Sequence, residues 1–198
     1  RKASHRRVRH KVHPQEAVGI DFGIETTLTT SDNEKFNIKE PATKKLKIFS
    51  RRMDKRVKGS HNRFKMKCKR EAEYEKINRK KKDQRNKIVS HLTKTYKTIC
   101  IQDENVSGWQ KRDYGKQVNN SSIGGIISDL KNKSETLILV DRWYPSTQLC
   151  DVCGSRQEVK REERIFKCQS CGNIKDRDYH SALNVLQEGL KQQSSMEY

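Results

Sequence analysis

Long apolar runs are missing from this chain: 31% of its 198 residues are hydrophobic, 35% are charged, and no segment approaches the roughly 20 apolar residues a membrane-spanning helix needs. That excludes a helical membrane protein and leaves a lean core, enough for one sheet with its helices. Nothing near the N-terminus has the charged, apolar and small-residue tripartite order of a secretory signal. The first residue is Arg1 rather than methionine, so an N-terminal part of the native protein is expected to precede it. Acids are in deficit, with 25 Asp and Glu against 44 Lys and Arg, a formal charge of +19. The excess is local: residues 1–13 carry six Lys or Arg and no acid, and residues 44–91 carry twenty against five. Basic segments beside a near-neutral body are the footprint of a polyanion, most simply nucleic acid. A solvated helical face or an anionic membrane contact is the plainer alternative.

Cysteine is sparse except in one block. Cys150 and Cys153, then Cys168 and Cys171, form two CxxC knuckles, each followed by a glycine, Gly154 or Gly172, able to take the positive φ that wraps backbone round a metal. Four thiolates at this spacing predict a closed tetrahedral Zn²⁺ site, structural rather than catalytic. Two disulfides in a secreted domain would be the competing reading, but paired CxxC in an otherwise cysteine-poor chain is expected to mark a metal, and nothing N-terminal in these residues resembles a signal peptide.

Taken in order, residues 1–15 read as a basic linker or the end of a preceding domain. AVGIDFG alternates, with Val18, Ile20 and Phe22 on one face and Ala17, Gly19 and Asp21 on the other, so a strand ends by presenting a carboxylate opposite its core face. TTLTTS and EKFNIKE complete an expected antiparallel meander, closed by Pro41. Ile48 to Val57 and Phe64 to Leu92 read as a helical hairpin broken at Lys58-Gly59-Ser60, its thin apolar stripe including Val57, Phe64 and Cys68, the last expected to be buried. TICIQDENV returns to period two, with Thr98, Cys100, Gln102 and Glu104 on one face. A loop is expected from Gly108-Trp109, an amphipathic helix from Ser121 to Lys133, and in LILVDRW a strand buried on both faces. The last helix is expected to carry Tyr179, Ala182, Leu183, Leu186 and Leu190 on one face, with Asp176 as its N-cap, and residues 191–198 to form a disordered tail. Trp109 and Trp143 could stack on bases, but loop-anchoring core aromatics are the commoner case.

Three strands, helix, strand, helix, strand, helix, with a basic helical insertion before the fourth strand and a zinc ribbon before the last helix, predicts an α/β, RNase H-like mixed sheet. The expected divisions are an RNase H-like core over 16–145 with its insertion at 44–92, a zinc ribbon over 146–174 and a final helix over 175–190. Carboxylates on the first strand, the fourth strand and the last helix would meet at one end of such a sheet. Phosphodiester cleavage by two Mg²⁺ ions needs acidic oxygens so gathered, and requires no catalytic His or Ser.

GIDFG, NVSGW, DRWYPSTQLCDVCG, CQSCG and DRDYHSALNVL together resemble the RuvC-like nuclease half of transposon-encoded TnpB proteins and the compact type V CRISPR effectors related to them, from about Ala17 to Leu190. The resemblance implies RNA-guided cleavage of DNA, a guide RNA and target DNA as partners, a cytoplasmic and nucleoid-associated location, and an assembly in which a homodimer is allowed. By position it implies Asp21 and Asp178 as the first and third catalytic acids and Cys150, Cys153, Cys168 and Cys171 as zinc ligands. The chain departs from the family pattern in two places. Gln102 stands where many members carry the second catalytic glutamate, which makes Glu104, two residues along, the expected displaced second acid, in preference to Asp103. His180 stands where asparagine is usual and is given no catalytic role. A nuclease-inactive guided binder of repressor type, motivated by Gln102, and an unguided DNA-processing protein are the alternatives.

Overall fold

The computed structural model describes residues 13, 15–38, 43–111, 115–160 and 162–196. The expected N-terminal linker, apart from His13 and Gln15, lies outside the described residues, as do Pro41 and the last two residues. Five strands form one mixed sheet: β1 (Gln15–Phe22), β2 (Leu28–Thr30), β3 (Lys35–Phe36), β4 (Tyr96–Gln102) and β5 (Thr136–Val140), in the spatial order β3-β2-β1-β4-β5. The first three are the antiparallel meander, with Asp21 opposite Thr29. β1 then pairs parallel with β4 and β4 with β5, so Ile20 lies beside Ile101 and Gln102 beside Val140. Parallel pairing needs crossovers, and helices supply them.

Alternation along β1 decides what covers each face. Val18, Ile20 and Phe22 enter one core with Ile99 and Ile101 of β4, closed by Ile88, Val89 and Leu92 of helix α2 (His61–Thr95) and by Ile123, Ile126 and Leu130 of helix α5 (Ile123–Lys133). The other face is covered by α6 (Arg177–Met196), where Cys100, Val140 and Val185 form a second, smaller core. Gly19 lets that helix lie close: a Cβ there would fall 2.2 Å from the Ala182 carbonyl oxygen. The buried face of α6 holds His180, Ser181, Ala182, Asn184 and Val185, more polar than the expected leucine stripe, and Leu190 is exposed. The helix continues to Met196, through most of the expected tail.

Helix α1 (Lys44–Asp54) packs against the N-terminal half of α2 as an arm, about 50 Å being the length of a 35-residue helix. Ser60 caps α2, its hydroxyl accepting from the Arg63 amide at 3.2 Å, and Gly59 takes φ +82° in the turn before it. Two helices packed on each other bury one seam, here Met53 and Met66, so Val57, Phe64 and Cys68 are exposed, contrary to the expected stripe.

Two other expectations change. β5 is an edge strand, so its apolar run is not buried on both faces: Val140 is buried, Leu137 and Ile138 are partly so, and Leu139 is 42% exposed. The expected loop after Gly108 is helical, as α3 (Val106–Gln110) and α4 (Gly115–Ser121), with the Asn105 side chain accepting from the Gly108 amide at 3.0 Å as N-cap.

The remaining strands, β6 (Ile165–Lys167) and β7 (Ile174–Asp176), make a separate antiparallel ribbon. β7 runs straight into α6, with Asp176 as N-cap accepting from the Tyr179 amide at 3.1 Å. Among the described residues no helix is long and apolar enough to cross a membrane.

Candidate active site and cysteine cluster

Asp21 is the penultimate residue of β1 and faces α6, on the side opposite the main core. The Ser181 hydroxyl, one turn along α6 from Asp178, donates to its Oδ1 at 2.8 Å. Burial pushes the Asp21 carboxyl up to about 7 against the pull of that hydrogen bond, and the Asp178 and Glu104 carboxylates, close enough to repel it, push in the same direction. Arg177 partly offsets them. The three sequence-predicted acids therefore share one electrostatic neighbourhood. Asp178 sits in the first turn of α6, its Oδ1 held by the Arg177 guanidinium at 3.0 Å.

Glu104 reaches this neighbourhood differently from the expected period-two strand. β4 ends at Gln102, and Glu104 lies in the turn before α3, where its carbonyl accepts from the Val106 amide at 3.0 Å. Burial, and secondly the charge on Asp103, push the Glu104 carboxyl up to about 7. Asp103 is engaged elsewhere: its carboxylate accepts from the Arg142 guanidinium at 2.6 Å on an exposed surface.

Gln102 has a structural task that its sequence position did not suggest. Its amide nitrogen donates to the carbonyl oxygens of Asp141 (3.1 Å), Arg142 (3.1 Å) and Tyr144 (2.8 Å), and its Oε1 accepts from the Ser146 hydroxyl at 3.1 Å. Ser146 in turn lies 3.0 Å from the Ser181 hydroxyl, so polar contacts run in a row Gln102–Ser146–Ser181–Asp21, the two hydroxyl protons going to the Gln102 and Asp21 oxygens at its ends. The spacing of Ser181, three residues after Asp178 and so on the same helix face, was the one available signal for it. Asn184, one turn further, fixes the same loop by donating to the carbonyls of Ser146 and Leu149, both at 2.7 Å.

The four block cysteines come together, with all their sulfurs within 4.8 Å of one another. Cys150 and Cys171 Sγ are 3.6 Å apart, as are Cys153 and Cys168. A tetrahedron of sulfurs at the usual Zn–S length of about 2.3 Å has edges of about 3.8 Å, whereas a disulfide needs about 2.05 Å. The geometry fits a metal, and all six cysteines are free thiols. Gly154 and Gly172 take φ +71° and +73° and donate back to the Cys150 and Cys168 carbonyls. Within the cluster the Ser155 hydroxyl, followed by the Cys171 amide, holds the Cys168 thiol down to about 6, whereas, against the pull of the Asn173 amide, burial and the neighbouring sulfurs push the Cys171 thiol up to about 12.

The cluster is anchored to α6. Phe166 of β6 stacks on the buried His180 ring, with centroids 3.7 Å apart and planes 12° from parallel. Burial holds the His180 imidazole below its ordinary pKa. Asp151, between the first two cysteines, is clamped by Lys175 and by the Asn173 amide at 2.7 Å. His180 is thus a joint between ribbon and helix.

Comparison with known proteins identifies the family. Residues 2–113 match the OrfB_IS605 family model, described as a probable transposase, and residues 126–185 match the Cas12f1-like TNB domain. The chain belongs to the OrfB_IS605 family, in agreement with the likeness to TnpB proteins and compact CRISPR effectors. It is 31% identical over 183 residues to a protein of Streptomyces pristinaespiralis named "Putative RNA-guided DNA endonuclease", covering 88% of this chain and 45% of that one. It is 27% identical over 206 residues to a protein of the same name, InsQ, from Escherichia coli K12, covering 90% and 50%. The chain spans about half the length of these curated relatives. The fold is similar to that of Cas12f1 in a complex with sgRNA and target DNA: TM-score 0.52 at 18% identity, covering 90% of this chain and 51% of that one.

Proposed function

We propose that this chain is the nuclease half of an RNA-guided DNA endonuclease, an RNase H-like core in which Asp21, Glu104 and Asp178 hold two Mg²⁺ ions. The observation that carries the reading is the placement of Asp21 at the end of β1, held from α6 by Ser181 one turn from Asp178, with Asp178 and Glu104 close enough that their charge adds to burial in raising its carboxyl. Acids crowded in this way are unfavourable in the protein alone and become favourable around a divalent cation. An all-oxygen donor set suits Mg²⁺. When bound, two such ions would stabilise charge on the attacking and leaving oxygens of an in-line phosphodiester displacement. Ser181 orients Asp21, Arg177 steadies Asp178, and Gln102 fixes the loop against which Ser181 rests. The sheet order β3-β2-β1-β4-β5 supports the RNase H-like assignment. The four cysteines are assigned a structural Zn²⁺, and the basic α1–α2 arm is assigned to the backbone of the guide or heteroduplex.

The test is cleavage of guide-matched DNA by the protein containing this chain, with its co-purified RNA and Mg²⁺. Alanine at Asp21, Glu104 or Asp178 should lower the rate by about 100-fold or more while guide-directed binding survives. Undiminished cutting by the Asp21 or Asp178 variant overturns the reading. Gln102 favours a second one, a guided binder with no nuclease activity, and detectable metal-dependent cutting by the wild type excludes it.

A further inference from the structure

Trp143 is 85% exposed, although an indole gains more from burial than almost any other side chain. The backbone beneath it is firmly held. Its own amide donates to Asp141 Oδ1 at 2.7 Å, the Tyr144 amide donates to the Asp141 carbonyl at 3.1 Å, and the Gln102 amide grips the carbonyls of Asp141, Arg142 and Tyr144. Arg142 is tied to Asp103 as well. A fixed loop therefore holds a large aromatic face out in solvent.

That face borders a cleft of about 390 Å³ lined by Asp103, Leu139, Val140, Asp141, Arg142 and Trp143. Leu139 is the second exposed apolar group there, at 42%. The indole and the Leu139 side chain thus share the lining with the polar groups of Asp103, Asp141 and Arg142, a mixture that suits a flat heterocycle with polar rim atoms. Asp103 of the lining immediately precedes Glu104 in the chain, and Gln102, which holds the loop, connects through Ser146 and Ser181 to Asp21.

We propose that Trp143 is the stacking platform for one unpaired nucleobase of the DNA strand being cut, with Leu139 in the lining of the same cleft. This rests on the nuclease reading above. A base inside a duplex has both faces taken by its neighbours, so the site takes single-stranded DNA. Stacking on an indole accepts every base, so the contact holds the strand without reading its sequence.

The experiment measures binding of a fluorescently labelled oligo(dT) strand, and of the same strand with abasic sites, to the chain in zinc-containing, magnesium-free buffer. Trp143→Ala should weaken oligo(dT) binding on the order of tenfold, Trp143→Phe should restore most of it, and Trp143→Leu should not. The abasic strand should bind the wild type and Trp143→Ala alike. Because Trp109 packs partly buried against the main core, quenching of the more exposed indole by oligo(dT) should disappear in Trp143→Ala. Equal oligo(dT) affinity for wild type and Trp143→Ala overturns the stacking site while leaving the nuclease reading intact. A wild type that binds no single strand at all also overturns the stacking site, while the nuclease reading stands or falls by the cleavage test above. If Trp143→Ala instead dissociates a dimer in sedimentation, with DNA binding unchanged, the indole covers a second copy of the chain and the proposal fails.

Discussion

The Gln102 carboxamide donates to the Tyr144 carbonyl oxygen at 2.8 Å while its own oxygen accepts from Ser146, so both ends of the side chain are committed to one loop. A carboxylate at this position would face three carbonyl oxygens with no proton to offer, and would add negative charge beside Asp21. Gln102→Glu is therefore expected to lower stability by about 1–3 kcal/mol and to cut matched DNA no faster than wild type. Thermal unfolding and cleavage of the same preparation check this. Faster cutting would mean that Gln102 is a lost acid rather than a staple.

Asp21 makes stability depend on pH in a stated direction. Its carboxyl is raised from about 3.8 to about 7, so between those values the folded state holds a proton that the unfolded state has released. Without Mg²⁺, its contribution is fully present below the unfolded pKa, falls as pH rises towards 7, and levels off above it. Asp21→Asn removes this titration while keeping an acceptor for Ser181. The stability of wild type minus variant should fall by roughly 1 kcal/mol per pH unit from pH 5 to 7, and Mg²⁺ should flatten the trend. A difference independent of pH would place the carboxylate in an ordinary solvated setting.

Much of this arrangement was legible in the chain because it is local. Ligand spacing and the glycines after each CxxC describe the cysteine cluster within a few residues, and strict alternation along β1 puts Asp21 opposite Val18, Ile20 and Phe22. The features that were not legible depend on tertiary partners. LILV has the composition of a central strand, yet topology puts β5 at the edge, where Leu139 is exposed. Alternation carried past Gln102 made Glu104 a strand residue, but β4 stops there and a turn brings the acid round. The Gln102 staple involves residues some forty positions away, and no periodicity reports that. Trp109 follows the common rule for loop aromatics and Trp143 departs from it, a difference that only burial reveals.

One zinc per chain is expected by elemental analysis. Cys168→Ser should reduce it below stoichiometry, because three sulfurs and a hydroxyl make a weaker site than four thiolates. Loss of the metal should also increase hydrogen exchange in the first turns of α6, since Phe166 and Asp151 steady that end. Full zinc occupancy in the variant would contradict the four-sulfur assignment.

Exposed lysines of α2 should set the salt dependence of nucleic-acid binding. Replacing Lys65, Lys69, Lys76 and Lys80 by Gln should leave the fold unchanged, because all four lie on the solvated side of the arm. The slope of log affinity against log salt should become shallower by about two or more. An unchanged slope would move the phosphate contacts off the arm.

Asp178 and His180 lie two residues apart on α6, about 3 Å along its axis, and their rings and oxygens answer to different masters: the carboxylate to the acidic cluster, the imidazole to Phe166 of the ribbon. A force that tilts the ribbon is therefore transmitted to the third acid through less than one helical turn. Under the proposed nuclease function, whatever grips the cysteine knuckles also bears on the alignment of the carboxylates, and the ribbon is a handle on them.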